Sequence, residues 1–178
     1  VKLKFPELKT KILKVSYSLD LGEINFNKKS NIITYTSRKL PQHSNLVTSY
    51  LKPYLPKGWI LKNLNNLSYE KYLSILKKSK IFLSFSSLEG LGLPPIEAAL
   101  AGNHVIGYTG EGGNEYWREP LFSKVNSGEI NKFVLKIVDK IHKTKPNNNF
   151  KIKNYIMLKK KFSKENEIKN IKKFLKLI

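Results

Sequence analysis

The 178-residue sequence contains no cysteine, which excludes disulfide staples and thiolate metal sites. Histidine is nearly as scarce. His43, His104 and His142 are too few and too scattered for a zinc site. Arginine is represented only by Arg38 and Arg118, although 33 residues are basic. Acidic residues number 13, which leaves a formal net charge of +20. No apolar run approaches the ~20 residues that span a bilayer. Lys2, Lys4, Lys9 and Lys11 interrupt any apolar core that a secretion signal would need. A reducing, cytoplasmic compartment is the expectation, with peripheral contact at the inner membrane face as an option. The chain opens on Val1 rather than Met, as a piece of a longer protein would.

What is present suits one domain with an appended helical tail. Hydrophobic residues make up 40%, including nine Phe and nine Tyr, enough for a sizeable core. The positive charge is not evenly spread. Residues 1–80 and 121–178 each carry sixteen Lys or Arg against four acidic residues. Residues 81–120 carry Arg118 alone against Glu89, Glu97, Glu111, Glu115 and Glu119. A reader of bases or phosphates uses the planar fork of arginine. A surplus made almost wholly of lysine, outside the segment richest in motifs, reads as a solvated surface.

Short apolar runs bounded by turn signals occur at Ile32 to Thr36, Trp59 to Leu61, Ile81 to Phe85 and His104 to Tyr108. They are β-branched or aromatic without polar alternation, the pattern of buried parallel strands. Helical patterns lie between them. Tyr69, Tyr72, Leu73 and Leu76 form a stripe behind a candidate cap at Ser68. Leu46, Val47, Tyr50, Leu51 and Tyr54 form a weaker one. Pro95 to Ala101 reads as a short helix with proline in its first turn and Gly102 just past its end. Ile130, Phe133, Val134, Ile137, Val138 and Ile141 give an amphipathic helix, and Ser163 caps a last one. One further strand is expected at Ile12 to Tyr17. Alternating strands and helices predict a Rossmann-like α/β domain, a parallel sheet with helices on both faces, plus a C-terminal helical tail. The expected divisions are 1–30 as a connection, 31–125 as the α/β domain and 126–178 as C-terminal helices packed on it.

Chemistry concentrates in Ser86 to Trp117, SSLEGLGLPPIEAALAGNHVIGYTGEGGNEYW. Open α/β sheets bind ligands at the carboxyl ends of their strands. Glu89 falls at such an end. Gly90 and Gly92 admit close approach of the backbone to a ligand. The free N–H groups at the start of the Pro95 helix favour an anion such as a diphosphate. Glu97, placed in the first turn of that helix, can accept hydrogen bonds from a diol. A second glycine-rich turn, Gly110 to Gly113, follows the next strand, with Asn114 and Glu115 opening a short helix. Arg38 and Lys39 follow the Ile32 strand. Three loops are thus expected on one rim.

The run Glu89-Gly90-Leu91-Gly92-Leu93-Pro94-Pro95-Ile96-Glu97-Ala98, followed by Ala101-Gly102 and Val105-Ile106, resembles the signature of family 4-like retaining glycosyltransferases. It has two glutamates separated by seven residues around a Gly-Leu-Gly-Leu-Pro core. The resemblance implies the C-terminal, nucleotide-sugar-binding half of a GT-B-type enzyme. It implies that Glu89 meets the donor sugar and that the backbone of Gly90, Leu91, Gly92 and Leu93 meets sugar and diphosphate. It also implies that Glu97 holds the ribose hydroxyls, and that Arg38 and Lys39 neutralise the diphosphate. The family's Arg and Lys stand several residues apart, whereas Arg38 and Lys39 are adjacent. The family seats the base near Leu64 to Leu67. The implied partners are a nucleotide sugar, a glycan or lipid-linked acceptor, an N-terminal acceptor-binding domain and no specific nucleic acid. No metal and no cofactor other than the donor is implied. Two other classes compete: a non-catalytic sugar-nucleotide-binding module, and a basic nucleic-acid-binding protein without a base-stacking motif.

Overall fold

A computed structural model of the chain describes residues 15–26, 29–143 and 148–176. Five parallel strands form one sheet in the order β2-β1-β3-β4-β5. They are β1 (Ile32–Tyr35), β2 (Ile60–Asn63), β3 (Ile81–Glu89), β4 (His104–Glu111) and β5 (Phe122–Lys124). The four runs expected as strands are strands. β3 and β4 extend three or four residues further than their apolar cores because they remain paired through Ser86↔Thr109 and Glu89↔Glu111. β5 is too short to show a periodicity and was not expected. Of the strand expected at Ile12 to Tyr17, residues 15–17 have no regular structure and 12–14 lie outside the described residues.

Helices cover both faces of the sheet. On one face, Val47 and Leu51 of α1 (Pro41–Leu51) and Phe133, Val134, Ile137 and Ile141 of α4 (Ile130–His142) share a core with Ile33, Leu83, Phe85 and Ile106. Alternate strand residues such as Phe82 and Val105 are also buried, on the side covered by α2 (Tyr69–Lys78) and α3 (Leu93–Leu100). The α1 stripe expected to run to Tyr54 ends earlier, and Leu46, Tyr50 and Tyr54 stay exposed. Ser68 caps α2 by accepting from the Lys71 amide.

A buried polar frame fixes α2 and α3 to each other. Asn103, fully buried, donates from Nδ2 to the carbonyls of Leu76 and Ala98, both at 2.9 Å. Those carbonyls lie near the C-terminal ends of α2 and α3, where helices lack internal partners. Gly102, at φ +84°, turns the chain out of α3, and the Asn103 amide closes the end on Ala98.

The chain divides into two compact units, Leu21–Leu158 and a smaller one made of Val1–Asp20 with Lys159–Ile178. The sheet belongs to the first. In the second, Ser163 caps α6 (Lys164–Leu175) as expected, accepting from the Asn166 amide at 3.2 Å. Ser18 donates to Glu167 at 2.7 Å, and Phe162 is buried. α5 (Asn148–Lys161) leads into this unit. Among the described residues, no helix is long and apolar enough to cross a membrane.

Candidate functional site

A cleft of about 340 Å³ opens at the carboxyl ends of β1 and β3. Its walls include Arg38 and Lys39 from the loop after β1, Ser84 and Ser86 from β3, Glu89 from the β3 end, and Leu91, Gly92 and Leu93 at the entry to α3. Six of the eight residues singled out from the sequence therefore line one cavity. Lys39 Nζ forms an ion pair with Glu89 Oε1, joining the first and second loops. The pair is partly exposed, with Lys39 at 41% and Glu89 at 19%, so solvent screens it and its net worth is about 1 kcal/mol or less. That weakness lets an incoming anion exchange one partner for another at small cost.

α3 starts at Leu93, two residues before the expected Pro95, because Pro94 and Pro95 already hold helical φ. Two corrections follow. The prolines have no N–H, so Pro94 and Pro95 subtract two of the helix-start donors an anion would use. The helix-start amides that remain are those of Gly92 and Leu93, because the Ile96 amide already makes the first intrahelical bond to the Gly92 carbonyl. Gly92, at φ +73°, supplies the left-handed step that turns the loop into the helix. Glu97 is the fifth residue of α3, not part of its first turn.

Glu97 is not among the residues lining the cleft. Only 8% of it is exposed. Its two carboxylate oxygens accept hydrogen bonds from Tyr69 at 3.1 Å and Tyr72 at 3.0 Å. Both tyrosines project from the first turn of α2 and are stacked, with centroids 6.2 Å apart. Burial, followed by the negative charge of Glu97, pushes the Tyr72 phenol far above its ordinary pKa, so it is a donor at any working pH. The i, i+3 spacing of Tyr69 and Tyr72 was visible as an apolar stripe; that their hydroxyls converge on Glu97 was not.

The second glycine-rich turn lines a neighbouring depression of about 460 Å³ with Ser86, Ser87, Lys124 and Asn126. Three loops thus meet at the strand ends, but in two hollows sharing Ser86 rather than on one rim. The turn also shapes the first loop. A Cβ on Gly112 would stand 2.5 Å from the Gly90 carbonyl carbon and 2.6 Å from the Glu89 oxygen. One on Gly110 would stand 2.5 Å from the Ser87 oxygen. Only glycine lets β4 and its turn lie this close to the Glu89–Gly90 backbone. Tyr116, missed in the sequence, donates from its hydroxyl to the carbonyls of Leu91 at 2.9 Å and Gly92 at 3.0 Å. Its one signal was an aromatic pair, Tyr116-Trp117, directly behind a glycine turn. His104 is buried, its ring nitrogens 2.9 Å from Pro120 O and Ser123 Oγ. His43 meets Tyr108 and lines neither hollow.

The doubly covered parallel sheet is Rossmann-like, and the chain shares its fold with the matching part of solved GT-B glycosyltransferase structures. Solved structures superpose on nearly all of it. TarM matches with a TM-score of 0.63 at 16% identity over 99% of this chain and 41% of its own. The GtfA/B complex matches at 0.69 and 17% identity, over 98% and 42%. A TarM variant from S. aureus, in complex with fondaparinux, alpha-GlcNAc-glycerol and UDP, matches at 0.64 and 15%. In sequence, an alpha-1,6-glucosyltransferase of Actinobacillus pleuropneumoniae serotype 7 (strain AP76) is 32% identical over 82 residues. That stretch is 44% of this chain and 25% of the relative. The chain thus spans about two fifths of the solved chains and a quarter of the curated relative. No protein-family model matches it.

Proposed function

We propose that this chain is the donor-binding part of a retaining glycosyltransferase that takes a nucleoside-diphosphate sugar. The observation that carries the reading is the cleft itself. It joins Arg38, Lys39, Glu89 and the Gly92–Leu93 entry to α3 at the carboxyl ends of β1 and β3. Arg38 and Lys39 supply positive charge where the departing diphosphate gathers negative charge, which lowers the barrier to breaking the glycosidic bond. Glu89 lies in ion-pair contact with Lys39. As the diphosphate draws Lys39 toward itself, the Glu89 carboxylate is released to accept from sugar hydroxyls. Glu97 serves the ribose. The acceptor, a glycan or a lipid-linked acceptor, is brought by a second, N-terminal domain in the remainder of a longer enzyme. The lysine surplus on the flanks supports peripheral contact with an anionic surface. The UDP, fondaparinux and alpha-GlcNAc-glycerol in complex with the TarM variant support this substrate class.

Calorimetric titration of the chain with a nucleoside diphosphate and with the bare nucleoside tests the reading. The diphosphate should bind at least ten times more tightly. Equal affinities, or binding of neither, refute it.

A further inference from the structure

Glu97 presents a physical problem that the donor-site reading does not answer. A carboxylate this buried is costly unless it is paired or hydrogen-bonded. Among the described residues no ion pair reaches it; what it has instead are the hydroxyls of Tyr69 and Tyr72, one on each oxygen.

We propose that Tyr69 and Tyr72 are positioning residues: a two-hydroxyl clamp that orients the Glu97 carboxylate to receive a vicinal diol of the bound nucleotide. The proposal rests on the donor-site reading and adds residues to it.

Each carboxylate oxygen accepts along two lone-pair directions. Each tyrosine uses one, and one per oxygen is left. Two neighbouring hydroxyls of a ribose are a matching pair of donors. The two phenols arise at i and i+3 of one helix, so they approach from one side, with ring planes only 21° apart. Tyr69 is 56% exposed, so the cluster reaches the surface at its end of α2. Beside this cluster, Asn103 bonds Leu76, one turn beyond Tyr72 on α2, and Ala98, the residue after Glu97 on α3, which holds the two helices together there. Phenylalanine at either position would fill the same space. The hydroxyls matter only if Glu97 is to be held charged and in one rotamer. Neighbouring hydroxyls satisfy a buried anion without neutralising it, whereas a lysine would tie it into an ion pair.

The test uses the full chain and four probes, UDP, ADP, GDP and CDP. The tightest of them is then compared with its 2′,3′-dideoxy counterpart, which lacks the diol. Titrations are run on the wild type, Tyr72→Phe and Tyr69→Phe, with melting followed by circular dichroism. The wild type should prefer the diol-bearing probe. Each substitution removes one hydrogen bond to a charged group and should weaken that probe roughly 3- to 10-fold. Affinity for the dideoxy probe should stay within about twofold. A structural role alone would lower both affinities together, and that result overturns the proposal. So does tighter binding of the diol probe by either variant, which would mean that the tyrosines compete with the ligand. Equal wild-type affinity for the two probes shows that no diol is read and overturns the clamp while sparing the donor site. If the wild type binds none of the four diphosphates, the donor-site reading falls, and the clamp with it. Should Tyr72→Phe fail to fold, the more exposed Tyr69→Phe carries the comparison.

Discussion

Gly112 is not on the wall of the main cleft, yet its replacement should damage that cleft more than replacement of the loop glycine beside it. A Cβ at Gly112 would lie 2.5 Å from the Gly90 carbonyl carbon and 2.6 Å from the Glu89 oxygen. Contact between such atoms begins near 3.4 Å, so one backbone must retreat by roughly 1 Å, on the scale of overpacking that costs about 1–3 kcal/mol. The segment that must yield carries Glu89. Misplacing a binding group by about 1 Å can lose up to ~100-fold in a positioned interaction. Gly112→Ala should therefore lower the melting temperature by several degrees and weaken nucleoside-diphosphate-sugar binding at least tenfold. Gly90→Ala is the control, because nothing lies within 4 Å of a Cβ there and the backbone needs no left-handed step. It should leave the melting temperature nearly unchanged. Titration calorimetry and thermal melts of the two variants decide the matter. If Gly112→Ala bound and melted like the wild type, the second glycine turn would not support the first loop.

Three other outcomes are expected. Glu97→Gln should weaken the bare nucleoside diphosphate and the sugar nucleotide alike, by roughly 10- to 100-fold, whereas Glu89→Gln should spare the bare diphosphate and remove only the advantage added by the sugar. Titrating both variants with both ligands separates the roles, and equal losses for the bare diphosphate would refute the division. Asn103→Ala removes three buried side-chain hydrogen bonds, to the Leu76 and Ala98 carbonyls and from the Ser79 hydroxyl, and should cost about 2–3 kcal/mol in urea unfolding; a loss under ~0.5 kcal/mol would show that the frame between α2 and α3 does not matter. Association with DNA or heparin, driven by dispersed lysines, should collapse between 50 and 200 mM salt, and sequence-dependent DNA binding at the higher salt would revive the nucleic-acid alternative.

The sheet was legible because its strands are buried on both faces. Ile81 to Phe85 and His104 to Tyr108 are continuous apolar runs, and nothing but a covered parallel strand makes such short runs necessary. β5 was not legible: three residues carry no periodicity, and its pairing with Val105 to Gly107 is set by β4. The start of α3 was misplaced because prolines mark a first turn without saying which of its positions they fill. The cleft followed from motif density, since Arg38, Lys39, Glu89, Leu91, Gly92 and Leu93 arrive there by strand order alone. The surroundings of Glu97 did not follow. The burial of Glu97 depends on the angle between α2 and α3, which Asn103 sets through contacts 27 and five residues away. Tyr116 was hidden for the same reason, because its partners are carbonyls 24 and 25 residues upstream.

The two glutamates of the motif stand seven residues apart, and the fold gives them opposite environments. Glu89 faces a lysine across an open cleft, where its charge is screened and its partner exchangeable. Glu97 is enclosed, and its neighbours are neutral hydroxyls held by a rigid frame. A group that must let go of one partner and take another during a reaction belongs in the first setting. A group that recognises a part of the ligand which does not react belongs in the second, because fixed acceptors lose little freedom on binding. Donor chemistry divides along the same line: the sugar and its bond to phosphate change, while the ribose does not. On the proposed donor-site reading, an acidic segment inside a strongly basic chain has a use: carboxylates would read hydroxyls at both ends of the ligand, and positive charge would be needed only in between, where Arg38 and Lys39 stand.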